Sequence, residues 1–207
     1  TAFCPVASDG TFATSGAGAD TWVLDLWDQL DGEGFLVARV IARAGARDVT
    51  IHHPGSDWLT FTMPSEVAVE VCVAGTLRKA VDSMPLPESK RLRVPADTNF
   101  DVLIQDLTAD PMQVAYVRSV PSGTTLSVPL EPCVALEGHL LTPIPGGSTL
   151  WAVSEQFRSS IGDYKERFSV GVLPGSYDLV LVGPTGEERV VARGVVAGRT
   201  DYEIDLR

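Results

Sequence analysis

The chain has 207 residues, of which 44% are hydrophobic and 21% charged, with a formal net charge of −11 and a pI near 4.6. This length suffices for one large domain or two small ones, each with a buried core. The negative charge argues against nucleic acids and anionic membrane surfaces as partners, because their phosphates would repel the protein. The 19 glycines and 14 prolines fall between apolar runs, which favours many strands and tight turns over long helices.

The N-terminal part of the chain predicts a mobile lead-in followed by two strands. Residues 1–20 are small and polar, with Ser15–Ala19 at the centre of the predicted mobile segment. Apolar residues alternate along Thr21–Trp27, which predicts a strand, whereas a short helix through Leu30 is the competing interpretation. A second strand is predicted over Phe35–Arg43.

Short strands continue to about residue 130. Asp48–His53 and Trp58–Met63 are predicted to pair around the Pro54-Gly55 turn. The further strands predicted in this region are Val67–Val73, Leu77–Val81, Lys90–Val94, Phe100–Gln105, Met112–Arg118 and Thr125–Leu130. Strands that recur every 8–12 residues or so with turn signals between them are typical of a β-sandwich. Residues 21–130 are therefore predicted to form an N-terminal β domain.

A second series of strands begins after Glu131 and predicts another domain over 131–207. Its predicted strands are Cys133–Leu141, Ser148–Ser154, Phe168–Val172, Tyr177–Val182, Arg189–Val196 and Asp201–Leu206. Glu155–Ile161 is predicted to be a helical turn or a loop. Phe168–Val172 and Tyr177–Val182 are predicted to form a hairpin around Pro174-Gly175, because Pro fixes φ near −65° and Gly accepts positive φ. The fold class is all-β, with two consecutive sandwich-like domains.

Parts of the two series resemble each other at an offset of about 76 residues. Arg91–Val94 followed by Phe100–Ile104 aligns with Arg167–Val170 followed by Tyr177–Leu181. The pattern indicates a duplicated unit, although turn-strand pairs in any β protein can drift into similarity. The segments upstream of these two stretches do not align well.

Residues 133–207 also carry the motifs of a known type of domain. These motifs are Val134–Gly138, Pro145-Gly146, Phe168–Val170, Leu173–Leu179 and Gly194–Gly198. In them the chain resembles the carboxypeptidase regulatory-like domain, a transthyretin-like β-sandwich, and departs from it at Gly162–Lys165, where a Thr-x-Asp-Gly turn is expected. The resemblance implies a non-catalytic interaction or spacer unit, of the kind found beside catalytic domains or on exported and surface proteins. Residues 1–130 resemble no named family.

The turn after the first strand holds the candidate ligand-binding residues. They are Trp27, Asp28, Asp31 and Glu33. Carboxylate oxygens suit Ca²⁺, and an exposed Trp27 would suit a sugar ring. The acidic spacing is not that of an EF-hand, and a solvated acidic turn is the alternative. We therefore expect no cofactor, with Ca²⁺ as the ion to test.

The sequence offers no convergent set of catalytic or metal-binding residues. Zinc peptidases place His and Glu at short fixed spacing, which His52, His53 and His139 do not meet. No serine lies in a Gly-x-Ser-x-Gly elbow. We expect a protein that is not an enzyme.

Three cysteines leave one unpaired whichever two combine. Cys72 and Cys133 lie in predicted strands and are the candidate disulfide, with Cys4 left over. Three buried thiols are the alternative.

The function expected from these observations is a non-catalytic secreted, periplasmic or cell-surface module that binds another protein or a larger assembly. A carbohydrate-binding module is the alternative, and a metal-dependent enzyme, or an accessory domain of one, is the third. No apolar run approaches the ~18 residues of a membrane span, so direct membrane insertion is not expected.

Overall fold

The computed structural model describes residues 4–7, 9–13, 21–30, 33–63, 66–86, 88–162 and 166–207. Within these ranges the chain forms 17 strands and no helix, which confirms the predicted all-β class. It follows that the described residues contain no helix that could cross a membrane. The centre of the predicted mobile lead-in, Ser15–Ala19, lies outside the described residues.

A two-stranded hairpin comes first. β1 (Thr21–Leu30) pairs with β2 (Glu33–Arg43) in antiparallel register, with a bulge between Leu26 and Trp27. This confirms the strand predicted over Thr21–Trp27 and rules out the competing short helix. The hairpin is anchored because Leu26 and Ala38 pack against the core of the strands that follow.

The first sandwich-like unit, called here the first unit, has seven strands. They are β3 (Ser56–Phe61), β4 (Ala68–Val73), β5 (Lys79–Pro85), β6 (Arg91–Pro95), β7 (Asn99–Asp106), β8 (Gln113–Pro121) and β9 (Thr125–Leu126). One sheet has the order β6-β3-β9 and the other the order β8-β7-β4-β5. A short linker strand, β10 (Glu131–Pro132), pairs with the outer edge of β8.

The core of the first unit lies between its two sheets. Alternate residues of the central strands face it, among them Leu59 of β3, Val69 and Val71 of β4, and Val102 and Ile104 of β7. Each of these side chains is completely buried. Burial of an aliphatic side chain of this size contributes roughly 1.5–3 kcal/mol, so this alternation is what fixes the register of the strands.

The second unit also has seven strands. They are β11 (Val134–Leu140), β12 (Thr149–Val153), β13 (Arg158–Ile161), β14 (Arg167–Val172), β15 (Ser176–Val182), β16 (Glu188–Val196) and β17 (Tyr202–Ile204). Its sheets have the orders β14-β11-β17 and β13-β12-β15-β16. The prediction of a helical turn or loop over Glu155–Ile161 is wrong for its second half, since β13 pairs with β12 along Arg158–Ile161. Ile161 and Ser159 are buried on that strand, and their short alternation was too brief to stand out in the sequence.

The two units share one topology. In each, the first strand pairs antiparallel with the fourth and parallel with the seventh (β3 with β6 and β9, β11 with β14 and β17). The remaining four strands follow the same order in both, as β5-β4-β7-β8 and β13-β12-β15-β16. The identical connectivity supports the predicted duplication, while the domain boundary near residue 130 stays a prediction.

The predicted hairpin across Pro174-Gly175 is not a hairpin. β14 pairs with β11 in one sheet, whereas β15 pairs with β12 and β16 in the other. The chain therefore crosses from sheet to sheet through Leu173–Gly175, as an arch. The Tyr177 hydroxyl donates to the backbone carbonyl of Leu173 at 2.6 Å and ties this arch.

The strand predicted over Asp48–His53 is also absent. These residues form no strand, and β3 instead takes β6 and β9 as its neighbours. The sequence pattern identified β3 and missed its partners, because period-two alternation does not say which strand lies alongside.

Candidate functional site

The predicted ligand-binding turn lies at the end of the hairpin. Trp27 is 43% exposed, and the neighbouring Asp28 is partly buried. Asp31 and the side chain of Glu33 lie outside the described part of the chain. The structure therefore describes two of the four predicted residues, Trp27 and Asp28, which are consecutive on β1 and so direct their side chains to opposite faces of the hairpin.

Both oxygens of Asp28 are engaged by cationic or polar groups. Arg93 forms a two-pronged ion pair with it, with Nη1–Oδ1 and Nη2–Oδ2 distances of 3.1 Å each. His53 Nε2 lies 3.0 Å from Oδ2. Because the Gly55 amide donates to His53 Nδ1 at 2.9 Å, a neutral His53 carries its proton on Nε2 and donates it to Asp28. An Asp28 carboxylate paired in this way is poorly placed to hold Ca²⁺. In the ranges that the structure describes, no group of three or more His, Cys, Asp or Glu side chains is arranged to hold a metal ion.

The candidate disulfide between Cys72 and Cys133 is not formed. All three cysteines are free thiols. Cys72 packs in a buried cluster with Leu77, Trp151 and Val180, whereas Cys133 packs against the second core. The two side chains thus belong to different clusters, which the sequence pattern could not show.

The surface where the two units meet, called here the joint, contains buried charged side chains. It is built on the outer face of the sheet β8-β7-β4-β5, opposite the first core. Its polar and aromatic members are Glu70, Lys79, Asp101 and Tyr116 from the first unit and Trp151, Phe157, Arg158 and Ser160 from the second. Because side chains alternate between faces along a strand, the same strands supply apolar residues to the core and polar residues to the joint.

Two buried carboxylates of the first unit bind side chains of the second. Ser160 donates to Glu70 Oε2 at 2.5 Å, and Lys79 lies 3.0 Å from the same oxygen. Arg158 pairs with Asp101 at 3.6 Å and donates to the carbonyl of Thr76 at 3.2 Å. A buried charge without a partner is costly, so these bonds tie each unit to the other in one arrangement.

Apolar contacts at the joint are reciprocal between the units. Phe157, in the turn between β12 and β13, joins the cluster of Leu103 and lies 5.5 Å from the Tyr116 ring, measured between centroids. Leu77, in the equivalent turn between β4 and β5, joins the cluster of Val180. In each unit, the turn between the second and third strands therefore packs against the four-stranded sheet of the other unit. Burial of apolar side chains has no preferred direction. The hydrogen bonds and ion pairs therefore set the orientation of the two units.

Burial at the joint changes the acid–base properties of two groups. Removal from water raises the pKa of the Cys72 thiol well above its usual range, and the negative charge of Glu70 adds to the effect. Removal from water also raises the pKa of the Tyr116 phenol, and the negative charge of Asp101 adds to the effect. Cys72 is therefore held as an unreactive thiol and is a poor nucleophile.

An aspartate braces a β-bulge at equivalent positions of the two units. Asp101 of β7 accepts a hydrogen bond from the Ser119 amide at 3.0 Å, and Asp178 of β15 accepts one from the Gly194 amide at 3.1 Å. The donors have φ angles of +53° and +64°, and both pairs of strands slip register there. The two aspartates are 77 residues apart, close to the offset at which the sequence repeats, so both units stabilise the bulge in the same way.

A scan against protein-family models found no matching family, and a search of curated proteins found no match. The candidate sites are thus defined by their geometry alone: the end of the hairpin with Trp27 and Asp28, and the joint.

Proposed function

We propose that this chain is a non-catalytic interaction module that binds another protein or a larger assembly, and that it works in the periplasm, after secretion or at the cell surface. The observation that carries the proposal is the joint. Buried bonds from Glu70 and Asp101 to the second unit hold two sandwiches of the same topology in one orientation. Such a body presents loops and sheet edges at fixed separations, which suits recognition of a large partner.

The resemblance of residues 133–207 to carboxypeptidase regulatory-like domains supports the same proposal. Those domains are interaction or spacer units. The unreactive Cys72 and the ion-paired Asp28 are in keeping with a structural rather than a chemical use of these side chains.

Reconstitution with a purified partner tests this function. The purified chain is used as bait in an extract of its native host, each captured protein is then expressed alone, and its binding is measured by calorimetry. We expect one partner to bind the purified chain stoichiometrically. A substrate turned over by the chain, with the activity abolished by a single substitution, would overturn the proposal.

Carbohydrate binding is a second candidate, favoured by the exposed side chain of Trp27 on β1. Aromatic side chains are common in the lining of small-molecule sites, where a sugar ring can stack on them. A glycan array probed with the native chain and with Trp27→Ala separates the candidates. Binding that Trp27→Ala removes would favour this function over protein recognition.

A further inference from the structure

The hairpin β1–β2 repeats features of the fifth and sixth strands of both units. An aspartate lies in the first half of β1, β7 and β15, and the three are spaced by 76 and 77 residues: Asp25, Asp101 and Asp178. A glycine with a φ angle between +81° and +86° follows β2, β8 and β16: Gly45, Gly123 and Gly198. This spacing is that of the repeat between the two units, so the hairpin lies where a third unit would have its own fifth and sixth strands.

The hairpin and the second unit also agree in sequence. Val37-Ala38-Arg39 of β2 matches Val191-Ala192-Arg193 of β16. Further on, Ala44-Gly45-x-x-Asp48-x-x-Ile51 matches Ala197-Gly198-x-x-Asp201-x-x-Ile204, which contains β17. In both places the aspartate of the first strand pairs with the arginine of the next, Asp25 with Arg39 and Asp178 with Arg193.

The residues on either side of the aspartate form equivalent cross-strand pairs in all three places. The pairs are Phe100–Val120 and Val102–Val117 in the first unit, Tyr177–Val195 and Leu179–Ala192 in the second, and Leu24–Val40 and Leu26–Ala38 in the hairpin. In both units all of these side chains belong to the core of their own unit or pack against it. The positions in the hairpin are therefore core positions of the same sandwich.

These core positions are less covered in the hairpin than in the units. In both units the pair that includes the residue before the aspartate is at most 3% exposed. Its counterparts Leu24 and Val40 are only partly buried, and Leu26 and Ala38 are partly covered by the first core. The hairpin thus has an apolar face that the described part of the chain covers only in part.

The two units show which strand belongs beside β1. In each, the fifth strand lies between the sixth and the second, in the orders β8-β7-β4 and β16-β15-β12, and pairs antiparallel with the second. Among the described residues, β1 lies in a two-stranded sheet with β2. Because Asp28 is bound to the first unit through Arg93 and His53, the part of β1 suited to a further strand is Thr21–Leu26.

We propose that the hairpin β1–β2 provides the fifth and sixth strands of a third unit, and is the interaction surface for the first four strands of that unit. The second strand pairs antiparallel with β1, and the core of the third unit covers Leu24 and Val40. Val49–Ile51, the counterpart of β17, becomes the seventh strand. In both units the first four strands directly precede the fifth, so the occupant is the segment of the same polypeptide that leads into β1.

A fusion that supplies the first four strands tests this inference. A copy of Val134–Gly175, which contains those strands of the second unit, is placed ahead of Thr1, so that the full chain is kept. Hydrogen exchange followed by mass spectrometry compares the fusion with the unfused chain. We expect exchange to become at least about tenfold slower for the amides of Thr21–Leu26 and of Val49–Ile51. A second fusion carries Ser56–Thr98, the same strands of the first unit.

Two neighbouring substitutions on β1 form a matched pair of variants of each fusion. Leu24→Lys places a charge on the core face and should abolish the slowing. Val23→Lys lies on the opposite face, where the units carry the exposed Asn99 and Ser176, and should leave the slowing in place. Thermal melts confirm that the variants fold.

Slower exchange in neither fusion, or slowing that persists in Leu24→Lys, would overturn the inference. Equal loss of the slowing in Leu24→Lys and Val23→Lys would overturn it as well. The experiment involves no binding partner, so either result leaves the proposed function standing.

Discussion

Asp101 and Asp178 stabilise equivalent β-bulges, but Asp101 is buried and Asp178 is partly exposed. Each braces a bulge by accepting an amide hydrogen bond. The Asp101 side chain is 1% exposed and also accepts from the Gly75 amide, whereas that of Asp178 is 37% exposed. The two units of the same topology thus provide a matched pair in which burial is the main difference.

Substitution of each aspartate by asparagine should therefore have unequal effects. Asp101→Asn places an amide NH₂ group against backbone donors and leaves Arg158 without its charge partner. We expect a loss of roughly 2–4 kcal/mol in the free energy of unfolding. Asp178→Asn should cost less than about 1 kcal/mol, because water replaces what is lost. Urea unfolding measures both, and equal losses would contradict the role assigned to burial.

Tyr177 should make the protein sensitive to alkaline pH. Burial raises its pKa to about 12 in the folded state, against about 10 for an unfolded chain. The folded state keeps this proton while the unfolded state loses it, so stability is fully present below about pH 10 and falls as the pH rises towards 12. Tyr177→Phe should lower stability by about 1 kcal/mol at neutral pH, by loss of the bond to Leu173.

The same variant should also lose less stability than the native chain between pH 10 and 12. Denaturant unfolding at several pH values gives, for each protein, the slope of the free energy of unfolding against pH. Parallel slopes for the two proteins would show that Tyr177 does not titrate as described.

At the scale of the elements, alternation in the sequence predicted the existence of most strands but not their pairing. The bounds of β4, β7 and β11 were predicted to within a residue or so. β4 and β7 are marked by continuous apolar runs, and buried and less buried residues alternate along β11. The arch between β14 and β15 was predicted as a hairpin, since a Pro-Gly turn does not reveal whether two strands share a sheet. β13 was missed because four residues are too few for a clear period.

Gly138 of β11 should tolerate no larger residue. A Cβ atom there would come within 2.7 Å of the Tyr202 carbonyl oxygen and of the Phe168 ring. The carbonyl belongs to the neighbouring strand β17 and cannot move alone. Gly138→Ala should lower the free energy of unfolding by roughly 1–3 kcal/mol.

Gly146→Ala is the control for this prediction, since a Cβ atom at Gly146 meets nothing within 4 Å. Thermal unfolding of the two variants makes the comparison. A Gly138→Ala protein as stable as the Gly146→Ala protein would contradict the close packing of β11, β14 and β17.

At the scale of the whole molecule, the joint was the part that the sequence did not predict. Glu70 and Asp101 lie in apolar strands, so the sequence shows each of them as an unusual charged residue. It does not show their partners, because Ser160 lies 90 residues from Glu70 and Arg158 lies 57 residues from Asp101. The candidate site at Trp27 and Asp28 was predicted to be exposed and acidic. Trp27 is exposed, but Asp28 is paired with Arg93 and His53, which come from distant segments.

The central claim is that the joint makes the two units one cooperative body. Arg158 lies in the second unit, yet both of its described partners, Asp101 and Thr76, belong to the first. Arg158→Ala removes a contact of the joint and leaves Asp101 buried without its cation. The exposed Arg193 supplies the control, Arg193→Ala.

Native-state hydrogen exchange measures the free energy of opening separately for each unit. Arg158→Ala should lower this free energy by the same amount for core amides of β7 in the first unit and of β15 in the second, and Arg193→Ala should lower neither. A loss confined to one unit would show that the two sandwiches open independently and would contradict the account.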